Sequence, residues 1–135
     1  MISLKLSEDR CYQVLIWVLV AISCFSLFNE VMEPDGALYA SISKNMIMRE
    51  DWLNLYVHGK DWLDKPHLPF WLAAASFKLF GISAVAYKLP SFLISLMGTF
   101  YLYRFTTDHF NRQTALISVI IFLTSLHVLI SNSDV

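Results

Sequence analysis

Charge is scarce in this 135-residue chain. Asp, Glu, Lys and Arg make up 16% of it and nearly cancel, leaving a formal net charge of −1. That balance supplies no basic field of the kind nucleic-acid binding needs, so nucleic acid is excluded as a partner. Cysteine is scarcer still. Cys11 and Cys24 show no CxxC spacing and no histidine neighbours, so neither a disulfide framework nor a thiolate metal site is indicated. Both are expected to be buried as small apolar residues. Gly-rich phosphate loops, HExxH and GxSxG are absent, which removes the common soluble-enzyme motifs. Internal repeats and low-complexity tracts are also missing.

What is present in quantity is apolar surface. Hydrophobic residues form 56% of the chain and fall in long runs without charge, the composition of a membrane protein. The runs predict an all-α membrane protein with three transmembrane helices, over about 12–28, 89–105 and 114–130. The whole chain 1–135 reads as one membrane domain. The first run overlaps in length with a signal peptide, but Ser23-Cys24-Phe25-Ser26 lacks a clean small-x-small cleavage site, so an uncleaved anchor is expected. Pro90 suits the first turn of the second span, and Lys88 is expected to snorkel at its end. The short ends and loops carry Lys5, Arg10, Arg104 and Arg112 on one side. By the positive-inside rule the N-terminus is then cytoplasmic and loop 29–88 extracytoplasmic. Val135 falls on the same face as that loop.

The polar stretch from Glu33 to Trp71 is the exception to the apolar pattern. It holds three of the four prolines, three of the four tryptophans and more than half of the acidic residues. Leu38, Ile42, Met46 and Arg49 share a stripe at helical spacing, predicting an amphipathic helix over 37–48 that stops near Glu50 and Asp51. Asp35 stands at its start as an N-cap. Trp52 to Asp64 reads as a loop with interfacial tryptophans. Pro66 to Phe80 reads as a second helix, closed by Gly81 and too short to cross a bilayer. The loop between spans 1 and 2 thus carries two interfacial helices.

Several residues here have chemistry to offer. Transfer of a glycosyl group to an alcohol needs a carboxylate to accept the acceptor's proton, and Asp35 and Asp134 would lie at the same membrane face. Taken singly, they read as a helix cap and a solvated chain end. Lys65 precedes a helix N-terminus just outside the bilayer, where ammonium and dipole together favour an anion such as a lipid phosphate. Its bland reading is a snorkelling lysine. Asp64, with His58 or His67, is a weak candidate for a divalent-metal site, because the ligands are scattered. Tyr39 and the tryptophans read as interfacial aromatics, and the sequence does not select which of them would stack on a sugar.

Glu33-x-Asp35-x3-Tyr39-Ala40, Asp51-Trp52, Lys65-Pro66-x-Leu68-x2-Trp71, Phe80-Gly81 and Leu89-Pro90-Ser91 occur in that order. Together they resemble the N-terminal part of the ArnT/PMT-type glycosyltransferases. These are multi-spanning enzymes of the GT-C class, including aminoarabinose transferases of lipid A and protein O-mannosyltransferases. The resemblance covers nearly the whole chain. It implies a polyprenyl-phosphate sugar donor, a lipid or protein acceptor hydroxyl, and an extracytoplasmic active site at the bacterial inner membrane. It implies that Asp35 acts at the acceptor, with Asp134 as a second acidic residue, and that Lys65 contacts the donor phosphate. Glu33 and Tyr39 are further candidate substrate contacts. His67 departs from the family pattern, where a small or apolar residue is usual. Members carry many more spans, so the chain is expected to be a fragment, inactive alone and completed by the remainder of the enzyme. The rival expectation is a small non-catalytic membrane subunit or an inert remnant.

Overall fold

In the computed structural model, which describes residues 2–29, 31, 34–57, 59–62 and 64–125, the apolar runs fold as helices. The order is α1 (Ile2–Ser26), α2 (Pro34–Arg49), β1 (Tyr56–Val57), β2 (Lys60–Asp61), α3 (Leu68–Phe80), α4 (Ala84–His109) and α5 (Arg112–Thr124). The class is all-α, with one minimal hairpin. Among the described residues, two helices are long and apolar enough to cross a membrane, the Asp9–Ser26 part of α1 and the whole of α4. The expected third span over 114–130 corresponds to α5, a shorter apolar helix, and its remainder lies outside the described residues.

Several boundaries differ from expectation, each for a local reason. The second span begins at Ala84, not near Leu89, because Ser83 adopts an extended conformation and its side chain accepts a hydrogen bond from the Ala86 amide. Pro90 therefore lies inside α4. The expected loop over 106–113 shrinks to Phe110 and Asn111. Asn111 caps α5 by accepting from the Thr114 amide at 2.9 Å. α3 begins at Leu68 with proline at its start, so Pro66 stays outside. Gly81, at φ 83°, ends α3 in the left-handed conformation open to glycine. Cys11 and Cys24, expected to be buried, are both exposed on α1.

α4 is the common wall. α5 packs between it and α1, while α3 packs between it and α2. The face of α5 formed by Ala115, Leu116, Val119 and Leu123 is buried at helical spacing. On the other side, Ile42 and Met46 of α2 meet Phe70 and Ala74 of α3 and Leu55 and Val57 from the connection. Ala73 and Phe77 of α3 continue this core onto Ala86 and Tyr87 of α4. Trp17, Phe25, Met97, Phe100, Phe105 and Ile121 remain exposed, an apolar outer surface suited to lipid or further protein.

One end of the bundle is held by Asp9 and Arg112, at 3.6 Å, which join α1 to the start of α5. At the other end of α1 stands Lys88 of α4. It does not snorkel. It is wholly buried and donates to the carbonyls of Asn29, at 3.0 Å, and Ser26, at 3.5 Å.

Candidate active site

The segment expected to be an irregular loop is pinned at several points. α2 ends at Arg49 with two bonds that wrap the chain back. The Glu50 amide donates to the Ile47 carbonyl and the Asp51 amide to the Met46 carbonyl. This is the Schellman pattern, which places Glu50 at the left-handed position, with φ 56°. The Asp51 carboxylate accepts from the Leu53 and Asn54 amides and from the Asn54 side chain. The Asn54 amide bond, with the other two, holds the Asp51 carboxyl below its ordinary pKa.

β1 and β2 then pair antiparallel, Tyr56 opposite Asp61 and Val57 opposite Lys60. Gly59 supplies the positive φ, 80°, that the turn needs. The Asn45 side chain donates to the Tyr56 carbonyl at 2.8 Å, and the Arg49 guanidinium covers the Tyr56 ring at 3.6 Å. α3 grips the same connection. His67 Nε2 donates to the Leu53 carbonyl at 2.9 Å, and Trp71 Nε1 to the Trp52 carbonyl at 2.7 Å. His67, which departs from the family pattern, thus anchors the connection.

Against this frame the expected site residues take definite places. Asp35 is not the cap of α2 but its second residue, exposed in the first turn, where a carboxylate still faces the positive end of the dipole. Lys65 is exposed in the bend three residues before α3. The two are not ion-paired, but their elements meet. The Tyr39 ring sits edge-on to Phe70 at 5.5 Å, joining the second turn of α2 to the first turn of α3. Asp35 lies one turn before Tyr39, and Lys65 lies five residues before Phe70. Glu33, His58 and Asp134 lie outside the described residues. Asp64 is exposed, and among the described residues no three His, Cys, Asp or Glu side chains gather as a metal site.

Beneath Tyr39 a cavity of about 260 Å³ opens between α2, α3 and α4. Ser43, Tyr87 and Ser91 bring hydroxyl groups to its wall, while Leu68, Phe70, Leu72 and Ile94 make it mainly apolar. Ser43 is already committed to the Tyr39 carbonyl at 3.0 Å. The sequence reading missed Tyr87 here, although it lies just before the Leu89-Pro90-Ser91 motif.

An all-α membrane-type protein, with α2 and α3 packed together beside an apolar cavity, is the class this arrangement defines. The family profile described as dolichyl-phosphate-mannose-protein mannosyltransferase matches residues 64–133, just over half of the chain. The chain belongs to this glycosyltransferase family. It is 31% identical over 104 residues to an undecaprenyl phosphate-alpha-4-amino-4-deoxy-L-arabinose arabinosyl transferase of Wigglesworthia glossinidia brevipalpis, covering 76% of this chain and 18% of the relative. A Yersinia pestis protein of the same description is 27% identical over 127 residues, covering 93% of this chain and 23% of the relative. An uncharacterized protein of Aquifex aeolicus is 29% identical over 109 residues, covering 78% and 21%. The chain therefore spans about a fifth of the length of the relatives it matches. No solved structure matches it.

Proposed function

We propose that this chain forms the N-terminal wall of a glycosyltransferase that moves a sugar from a polyprenyl-phosphate donor to an acceptor hydroxyl outside the cytoplasmic membrane. The observation that carries this reading is the Tyr39–Phe70 contact, which joins α2, with Asp35 in its first turn, to the start of α3, which Lys65 precedes. The descriptions of the arabinosyl transferase relatives, which specify an undecaprenyl-phosphate sugar, support a lipid-linked donor. The acceptor is a lipid such as lipid A or a protein hydroxyl.

The reaction is an inverting single displacement. The acceptor oxygen attacks the anomeric carbon and passes its proton to Asp35, which acts as general base. The bond between that carbon and the phosphate oxygen breaks with its electron pair staying on the phosphate. Lys65 stabilises the charge that develops there. Asp134 would add a second carboxylate, and Glu33 and Tyr39 further substrate contacts. Asp64 remains the proposed contributor to any divalent-metal site. The apolar cavity between α2, α3 and α4 suits the first isoprene units of the donor, directly below the phosphate.

Topology follows the same reading. Asp9–Arg112 joins the start of the apolar part of α1 to the start of α5, in keeping with both on the cytoplasmic side and loop 29–88 outside. α5 then belongs to a third span.

The test is a chimera in which residues 33–71 replace the matching segment of a full-length relative. Asp35→Asn is expected to lower transfer at least 10²-fold, the scale of a lost general base. Lys65→Ala is expected to lower it on the scale of a lost charge-stabilising group, also about 10²-fold. Unchanged turnover in both variants would refute the assigned roles. The 135-residue chain alone is expected to show no transfer, because it walls the site on one side only.

A further inference from the structure

His67 stands where the family pattern has a small or apolar residue, two positions after the lysine assigned to the donor phosphate. We infer that His67 is a positioning residue for Lys65: its imidazole fastens the start of α3 to the connection and so fixes where the ammonium is presented. This rests on the phosphate role given to Lys65 above, and adds how the chain holds that lysine in place.

Three observations carry this. First, the stretch bearing Lys65 is tied on both sides to the same short piece of chain. The Trp62 amide donates to the Leu55 carbonyl at 2.7 Å, and His67 Nε2 donates to the Leu53 carbonyl at 2.9 Å. Asp64, Lys65 and Pro66 lie between these ties, and among the described residues they make no hydrogen bond or ion pair of their own. The receiving piece is firm. Leu55 is buried in the α2–α3 core, and the Asp51 carboxylate holds the Leu53 and Asn54 amides. Second, little slack separates the tie from the lysine. Pro66 alone stands between His67 and Lys65. Its ring locks its own φ at about −65° and confines the residue before it to extended backbone. Fixing position 67 therefore fixes the backbone at 65 through few soft torsions. Third, α3 docks without the imidazole. Phe70 and Ala74 are buried against α2, and Trp71 Nε1 already holds the Trp52 carbonyl at 2.7 Å. The half-buried His67 ring lies 5.7 Å from the Trp71 ring. What its bond adds is order ahead of the helix, on the side of Lys65. A stabilising charge acts only where it is aimed, and a shift of about 1 Å is enough to weaken it severely.

The first test uses the full chain in detergent micelles, with no donor, and reads backbone order by NMR relaxation. The order parameter of the Lys65 amide is expected near the rigid value of ~0.85 in wild type and in His67→Gln, whose side-chain amide keeps a donor at that place. In His67→Ala it should fall below ~0.6, while the Phe70 amide stays rigid in all three. His67→Leu, which fills the space without a donor, decides the matter should His67→Ala fail to fold. A Lys65 amide equally ordered with and without the donor would overturn the proposal. The second test uses the chimera carrying residues 33–71. His67→Ala is expected to lower transfer about tenfold, short of the loss in Lys65→Ala, and to have almost no effect where Lys65→Ala is already present. His67→Gln should restore transfer. An equal loss in both backgrounds would show that His67 does not act through Lys65 and would overturn the proposal. Silent Lys65→Ala, with amide order still dependent on His67, would refute the phosphate reading and uphold the positioning.

Discussion

Lys88 is the residue whose role least resembles its expectation. A lysine at the start of a span should reach for water, and it would have done so had α4 begun at Leu89. The Ser83 cap starts the helix a turn earlier, which places Lys88 inside and against the end of α1. Its ammonium then serves the carbonyls of Ser26, the last residue of α1, and of Asn29 just beyond it. Lys88→Met keeps most of the volume and removes the donor. It is expected to cost about 1.5–3 kcal/mol, the range for a hydrogen bond made by a charged group. Thermal unfolding in micelles reads this directly, and an unchanged midpoint would mean that the ammonium contributes nothing net. Nothing in the order of residues announces such a role, because it depends on a neighbour some sixty positions earlier.

Among the elements, those with long apolar periods were legible and the shortest were not. The stripe through Ile42 and Met46 points to α2 and to its buried face. The hairpin of β1 and β2, with two residues to a strand, has no period to read, and it forms because α2 and α3 clamp its flanks. The turn that leads into it depends on Asp51. Its carboxyl is held below its ordinary pKa by the bonds from Asn54 and Leu53, so the ionised form is the one that holds the turn. A depressed folded pKa means that its stabilisation is complete above the unfolded value, ~3.9, and is lost as pH falls through the folded value. Hydrogen exchange at the Leu53 and Asn54 amides should therefore lose protection in that acidic range. Asp51→Asn should remove the pH dependence, and protection unchanged down to strong acid in the wild type would contradict the assignment.

For the whole molecule, composition alone conveys the all-α, membrane-type character, and the ordered motifs convey the family. The assembly of the site was less legible. Asp35 and Lys65 are thirty residues apart, and packing between α2 and α3, the Tyr39–Phe70 contact included, joins their elements. No sequence period encodes that contact. Orientation can be measured on the intact chain. With Cys11 and Cys24 replaced by serine, single cysteines are placed at two exposed positions, Lys60 in the hairpin and Phe110 in the α4–α5 turn. A membrane-impermeant maleimide applied from outside is expected to label Lys60→Cys at once and Phe110→Cys only after permeabilisation. Equal labelling of both would refute the proposed topology.

The placement of α1 also sets an order of assembly. It leaves the ribosome before the other described helices, yet its main packing partner is α5, the last of them. α3 and α4 can pack as they emerge, each against its predecessor, while α1 must wait in the bilayer. Its anchorage by Asp9–Arg112 and by Lys88 then forms late, and long separations of this kind slow folding. During synthesis, α1 is the part of this chain most open to capture by a membrane chaperone or a neighbouring copy.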